Sequence, residues 1–331
     1  MENENTFTEN FQSQELNVTP VADLYERILR ELRKVIIGQT DNIELITTAL
    51  LSGGHILLEG VPGIAKTYLA KSLAKSIDSK FSRIQFTPDL MPSDILGSSV
   101  FNLKNSEFIF HKGPIFANII LIDEINRSPA KTQSALFEAM EESQATIEGN
   151  KYQLESPFFV IATQNPIEQE GTYKLPEAQL DRFLFKLKLT YPELHEEIEI
   201  LNMYQSDFKQ SLADSIQKVA STSSILEAKS IVEKVFIKPE LLRYIAAIVT
   251  QTRNHADIYL GASPRASLAI LKTSKAMAAI NGRNFVTPDD IKTVALHVLN
   301  HRIILNPERD LEGLESEEVI NAIIQSIEIP R

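Results

Sequence analysis

The chain has 331 residues, 43% of them hydrophobic, with 33 Lys and Arg against 44 Asp and Glu, a net charge of -11 and no cysteine. That is enough for one large or two ordinary domains. It excludes disulfides, thiolate metal sites and a cysteine nucleophile, and the acidic balance argues against nucleic acid as the main partner, which would call for a basic face.

No apolar run approaches the roughly 18 residues of a membrane span, and the N-terminus lacks the basic-then-apolar order of a signal peptide. A cytoplasmic protein without membrane insertion is expected. Residues 1–18 are polar and aperiodic and predict a disordered tail. Leu24, Ile28, Leu29 and Leu32 then recur at helical spacing. The run Val35-Ile36-Ile37-Gly38 closes that helix, and Ile36 and Ile37 either line an adenine pocket or belong to plain core. A second helix over 40–52 stops at Gly53-Gly54.

The apolar stretch His55-Ile56-Leu57-Leu58-Glu59 leads into Gly60, Val61, Pro62, Gly63, Ile64, Ala65, Lys66 and Thr67, followed by the helix-favouring run Tyr68-Leu69-Ala70-Lys71-Ser72-Leu73-Ala74-Lys75. Strand, glycine turn, Lys-Thr, helix is the order of a phosphate-binding loop. Glycines let backbone N–H groups curl around phosphate oxygens, and the helix N-terminus adds unpaired donors and a favourable dipole. Lys66 is placed to reach the β- and γ-phosphates, and Thr67 to put its hydroxyl on Mg²⁺. Ala65 stands where the pattern usually has a second glycine.

Residues 81–86 predict a strand, and 91–96 a short helix capped by Ser93. Lys71, Lys75, Lys80 and Arg83 read as a solvated face. A β-hairpin is expected over 99–110 around Lys104-Asn105-Ser106, a candidate contact for substrate or partner. Asn118-Ile119-Ile120-Leu121-Ile122-Asp123-Glu124 is apolar and ends in two carboxylates, the signature of a buried parallel strand opening on a site. Asp123 is placed to hold Mg²⁺ directly or through water, and Glu124 to polarise an attacking water.

A helix over 129–142 has Ala135, Leu136, Ala139 and Met140 on its apolar side, and a second hairpin follows at 145–154. Residues 157–163 predict another buried strand. Asn165, just past its end, is suited to bond a γ-phosphate or the attacking water, and equally to cap the turn before Pro166. The alternating run 184–189 is the last strong strand signal. Helical patterning fills the rest, at 193–208, 224–236, 239–254, 264–281, 287–302 and 316–328. Thr287-Pro288-Asp289-Asp290 and Ser263-Pro264-Arg265 mark two helix starts. Arg265 in a first turn opposes the helix dipole, so a nearby anion is expected.

These motifs, in this order, resemble those of an AAA+ ATPase. More narrowly, EGVPGIAKT, LIDEINRSPAKTQSALFEAMEE, ATQNPIEQEGTYKLPEAQLDRFLF and GASPRA are similar to the signature stretches of the MoxR family, over residues 20–305. The family often carries Ala at the Ala65 position. The resemblance implies an α/β fold: an αβα core with a five-stranded parallel sheet over 19–191, hairpin inserts at 99–110 and 145–154, and an all-α lid over 192–331. It assigns Lys66 and Thr67 to Walker A, Asp123 and Glu124 to Walker B, Asn165 to sensor 1 and Arg265 to sensor 2. Arg182 falls where an arginine finger points into a neighbouring subunit's ATP, and Arg127 is a second candidate to approach a neighbour. Ile36, Ile37 and Tyr68 complete the expected nucleotide pocket.

The implied activity is hydrolysis of ATP with Mg²⁺ by a ring, usually hexameric, in which core and lid move through Arg265. The implied role is a chaperone that remodels or matures partners, commonly proteins with a von Willebrand factor A domain. Alternative readings are an ATP-binding scaffold with little turnover and a magnesium-chelatase-like motor subunit. A DNA-acting motor is disfavoured by the acidic balance.

Overall fold

The computed structural model describes residues 16–60, 66–165, 175–205 and 215–329. Within the expected tail, residues 1–15 lie outside that description. Its last residues do not behave as a tail: Val18 is buried and Leu16 packs against the core just ahead of α1 (Thr19–Leu32). Helix α2 (Thr40–Ser52) ends on Gly53 at φ +71, which a glycine adopts without Cβ strain.

The core continues as β1 (His55–Glu59), α3 (Lys66–Ser76), β2 (Phe81–Gln85), α4 (Pro92–Leu96), β3 (Gly97–Asn102), β4 (Glu107–Lys112), β5 (Ile119–Asp123), α5 (Ala130–Glu142), β6 (Gln144–Ile147), β7 (Asn150–Gln153), β8 (Phe159–Gln164), α6 (Glu177–Leu180) and β9 (Phe183–Lys188). The sheet order is β2-β5-β8-β1-β9, and every pair is parallel. Side chains alternate between the faces. Ile56, Leu58, Ile119, Leu121 and Ile161 pack under α1, α2 and α3. Leu57, Ile120, Ile122 and Val160 pack against Ile95 of α4 and Leu136 and Phe137 of α5. Burial on both faces explains why these strands read as unbroken apolar runs.

Both predicted hairpins form, β3 with β4 and β6 with β7. They touch through Phe110 and Tyr152, whose rings stack at 4.3 Å. Hairpin β6–β7 follows α5 through the single residue Ser143, whose carbonyl accepts from Leu154 N–H at 3.0 Å. Ser93 is not the cap of α4. Met91 holds that position, with the Asp94 carboxylate accepting its N–H at 2.8 Å.

The C-terminal part comprises α7 (Leu194–Tyr204), α8 (Thr222–Glu233), α9 (Pro239–Asn254), β10 (Ile258–Leu260), α10 (Pro264–Ile280), α11 (Pro288–Leu299), β11 (Ile304–Leu305), α12 (Pro307–Leu311) and α13 (Ser316–Ser326). Among the described residues it is helical apart from the antiparallel pairing of β10 with β11 and a single bridge between Phe236 and Phe285; β10, β11 and α12 had no sequence signal. Thr287 and Ser263 cap α11 and α10 as expected. The apolar core under α8–α13 is continuous with that under α1–α3.

One buried cation straps the lid to the sheet. Arg302, with its side chain 4% exposed, donates from Nε to Asp181 Oδ1 at 2.7 Å, from Nη2 to the Asp181 and Phe183 carbonyls at 3.1 and 2.6 Å, and from Nη1 to Leu184 O at 3.1 Å and Val298 O at 2.6 Å. Asn300 Nδ2 adds a bond to Lys186 O at 3.1 Å. Burying a guanidinium is costly unless its donors are satisfied. Here they converge on Asp181, Phe183 and Leu184 at the entry of β9 and on Val298 of α11.

Candidate active site

Strands β1, β5 and β8 end side by side, and their C-terminal edge gathers the polar residues. Beyond β1, Gly60 N–H donates to Gln164 O at 3.3 Å. Residues Val61, Pro62, Gly63, Ile64 and Ala65 lie outside the described residues, and α3 opens on the far side of them with Lys66. Lys66 Nζ reaches back to Gly60 O at 2.6 Å, so the two ends of the predicted loop are joined by the lysine itself. Thr67 is half-buried in the first turn of α3. Unpaired N–H groups and the helix dipole favour an anion at that end.

Tyr68 is on the outer side of α3 and hydrogen-bonds Tyr204 at the end of α7; burial and then that neighbour push the Tyr204 phenol up. Ile36 is buried in the core and Ile37 is half-buried beside Gly38, against which the Glu196 carboxylate of α7 packs. Gln39 Nε2 bonds Thr190 O at 3.5 Å, just past β9. The segment 36–39, Tyr68 and α7 thus wall the same edge, with Ile36 taking the core reading and Ile37 the rim.

Asp123 and Glu124 are fixed in part by two residues outside the motifs, Arg83 and Gln85 of β2. Arg83 Nε lies 2.6 Å from Asp123 Oδ2, and Thr163 Oγ1 donates to Asp123 Oδ1 at 3.3 Å while accepting from Glu124 N–H at 3.1 Å. Glu124 has left-handed backbone, φ 57 and ψ 51. That conformation costs a non-glycine residue about 1–3 kcal/mol and concentrates at functional sites. Its Oε2 accepts from Gln85 Nε2 at 2.8 Å and lies 3.1 Å from Arg127 Nε. Arg127, one of the two candidates to approach a neighbour, is therefore engaged in its own chain. Arg83 and Gln85 alternate along β2 and pair in register with Leu121 and Asp123. That period-two pattern was the available signal for both, yet Arg83 read as solvated surface. Asn165 is 8% exposed one residue beyond β8. Pro166, on which its capping alternative depends, lies outside the described residues.

Among the described residues no cluster of three or more His, Cys, Asp or Glu forms a metal cage. A hydroxyl and a carboxylate, as Thr67 and Asp123 carry, are hard-oxygen donors of the type that suits Mg²⁺, an ion that keeps several waters and takes few protein ligands, and Asp123 Oδ2 is here paired with Arg83.

The two remaining expected arginines are at the opposite edge. Arg182 Nη1 lies 2.6 Å from Glu141 Oε2 and bonds Phe137 O at 2.9 Å, with its guanidinium 5.9 Å from the Phe137 ring centroid. Arg265 Nη2 bonds the other oxygen, Glu141 Oε1, at 2.5 Å, and Nη1 lies 3.9 Å from Asp181 Oδ2. Ser263 Oγ also donates to Asp181 Oδ2, at 3.3 Å. Next to Glu141, Met140 O is 3.1 Å from Nε2 of His55, the first residue of β1. From His55 to Glu59 the strand runs about 13 Å, and Lys66 lies beyond. Arg265 thus does not close over the phosphate loop of its own chain. The Arg302 strap docks the lid on the entry of β9, and the anion that balances the first turn of α10 is Glu141.

The family model described as ATPase family associated with various cellular activities (AAA) matches residues 55–185, and the AAA lid domain model matches 250–323. The chain is 45% identical to the uncharacterized protein YeaC of Bacillus subtilis (strain 168) over 93% of this chain and 95% of the relative. It is 42% identical to Chaperone MoxR1 of Mycobacterium tuberculosis (strain ATCC 25618 / H37Rv), over 92% and 82%. The crystal structure of a candidate ATPase from Cytophaga hutchinsonii ATCC 33406 superimposes with a TM-score of 0.88 at 44% identity, covering 95% of this chain and 97% of that one.

Proposed function

The chain belongs to the MoxR family of AAA+ ATPases, and from that premise we propose a Mg²⁺-dependent motor that works as a ring, usually of six, and remodels or matures partner proteins. The observation that carries this reading is the division of the expected site between two edges. Lys66, Asp123, Glu124 and Asn165 stand at one edge, and Arg182 and Arg265 at the other. Two copies in head-to-tail contact complete one site, and that kind of contact closes into rings.

ATP is the substrate. Its phosphates would lie on the N-terminus of α3, held by Lys66, while Thr67 and Asp123 hold Mg²⁺. Mg²⁺ held there would supply positive charge against the phosphates. Glu124 orients the attacking water and takes its proton, worth about 10²–10⁴ in rate. Asn165 bonds the water or the γ-phosphate. The neighbour's Arg182 offsets charge in the transition state, with Arg265 beside it, and for that both must exchange Glu141 for phosphate oxygens. Ile37 and Tyr68 border the base.

The chaperone reading draws support from the name of the MoxR1 relative and from the exposed apolar residues of β3–β4, namely Val100, Phe101, Leu103 and Phe108. A protein with a von Willebrand factor A domain is the client class we propose, in the cytoplasm. No helix among the described residues is long and apolar enough to cross a membrane. A scaffold with little turnover is the second reading. It is favoured by the engagement of Glu124 with Arg127 and of Arg182 with Glu141 in the single chain.

The test is the steady-state ATPase rate against protein concentration. A motor assembled across subunits gives a rate per chain that rises with concentration and is lost in Glu124→Gln. A flat, near-zero wild-type rate with measurable ATP binding selects the scaffold.

A further inference from the structure

Helix α7 is apolar on the wrong side. Its inner side, with Glu196, Ile200, Met203 and Tyr204, is half-buried against the chain, yet no residue of the helix is fully buried. On the outer side, Leu194, Ile198 and Leu201 recur at i, i+4 and i+7 and are 78%, 50% and 67% exposed. Such spacing makes one continuous stripe, and Tyr191, just before it, is exposed as well. Glu197 flanks the stripe on one side and Glu193 stands just before it, while His195, paired with Glu193, lies on the other side. An exposed stripe of this kind marks an interaction surface.

The other edge of the molecule carries its counterpart. Arg265, Leu268 and Lys272 occupy i, i+3 and i+7 of α10 and are all exposed, Leu268 at 57%. Lys229 of α8 and Lys275 sit beside this stripe, and burial together with Lys272 pushes the Lys229 ammonium down. Glu233, Glu141 and Asp181 are the acids near these cations, Glu141 being taken up by Arg182 and Arg265 and Asp181 by Arg302. One stripe is apolar with acids at its start and along one side, the other basic around the exposed Leu268.

We propose that the outer stripe of α7 docks against the Arg265-Leu268-Lys272 stripe of α10 in a second copy of this chain. The proposal rests on the ring reading above and gives that ring its contact surface. Charge complementarity selects the partner. Placement supports it: α7 ends at Tyr204, which bonds Tyr68 next to Thr67, while Arg265 is in the first turn of α10. Bringing Arg265 to a neighbour's phosphate loop brings the rest of its stripe along α7. The contact is head-to-tail, so each chain offers one of each surface.

The test is sedimentation velocity of the full chain with Mg²⁺ and a non-hydrolysable ATP analogue, using Ile198→Asp and Leu268→Asp. Both positions are exposed, so each variant should keep the wild-type melting temperature and analogue affinity, yet self-associate at least about tenfold more weakly. Mixed in equal amounts, the two variants have one intact surface each and should form pairs and nothing larger. Wild-type-like assembly of either variant overturns the proposal while leaving the ring reading intact. So does a mixture in which no pairs form although the wild type assembles. A wild-type chain that stays monomeric with the analogue at every concentration overturns both.

Discussion

Arg182 and Glu141 are paired at 2.6 Å, at the edge of the sheet opposite the Lys66 of the same chain. A residue so placed serves its own Glu124 in no simple way. Replacing Arg182 by Ala should therefore lower turnover about 10³-fold or more, the scale of a trans arginine, with ATP affinity changed only a few-fold. The discriminating measurement is phosphate release from mixtures with Glu124→Gln. Where an Arg182→Ala chain meets a Glu124→Gln neighbour, the site between them holds an intact Glu124 and an intact Arg182. Mixing should restore activity that neither variant has alone. An arginine acting within its own chain would give no restoration.

Binding and chemistry should separate cleanly at the phosphate-loop edge. Lys66→Ala removes the cation that spans the loop and should abolish ATP binding by fluorescence titration. Glu124→Gln keeps the hydrogen bond from Gln85 within reach and should bind ATP normally while losing about 10²-fold or more in rate. Chelating Mg²⁺ should stop turnover in the wild type.

The Arg302 strap makes a stability prediction. Arg302→Met leaves Asp181 without its closest partner and removes the guanidinium's bonds to three β9-entry carbonyls, of which Phe183 O keeps His301 Nε2 at 2.9 Å. Breaking one side of a buried pair costs about 3–5 kcal/mol, so urea unfolding should show a loss of that order. Lys292→Met, on an exposed pair at 3.5 Å with Asp289, should cost under about 1 kcal/mol.

His55 predicts a pH dependence. Its Nδ1 accepts from Val160 N–H at 3.1 Å and its Nε2 faces Met140 O at 3.1 Å, so the neutral ring with the proton on Nε2 satisfies both. Burial pushes its pKa from 6.5 down to about 4. The unfolded chain therefore takes up a proton below about 6.5 that the folded chain refuses until about 4. The stabilisation is complete above pH 6.5 and is lost as the pH falls. His55 alone should account for about 2 kcal/mol between pH 6.5 and 5. His301, lowered by burial and by Arg302, acts in the same direction. Unfolding free energies across that window should slope downward, and His55→Gln should flatten part of the slope.

Much of this architecture was legible in the chain, because local chemistry dictates it. The β-branched run Ile119-Ile120-Leu121-Ile122, bounded by polar residues, favours a strand covered on both sides, and Thr287-Pro288-Asp289-Asp290 carries the residues that favour a helix start. The position of Arg265 was not legible. Its motif names a helix start, but the edge of the sheet to which that helix docks is decided by Arg302 and Asp181, 121 residues apart in sequence. Glu141 was hidden for a similar reason: in its own helix it is one more exposed acid, and only the fold brings two guanidiniums to it. Pairings such as β10 with β11 are two or three residues long, too short to show a period.

In the proposed ring, the link from Glu141 to the hairpins would give the molecule a way of sensing. Glu141 is two residues ahead of Ser143, Ser143 turns directly into β6, and Tyr152 of β7 rests on Phe110 of β4, the strand that displays Phe108. In the proposed ring, a neighbour that loads ATP draws Arg182 and Arg265 away from Glu141 and frees the end of α5. The apolar hairpin would then report the nucleotide held next door, and each chain would learn the phase of the cycle from its neighbour before its own site fires.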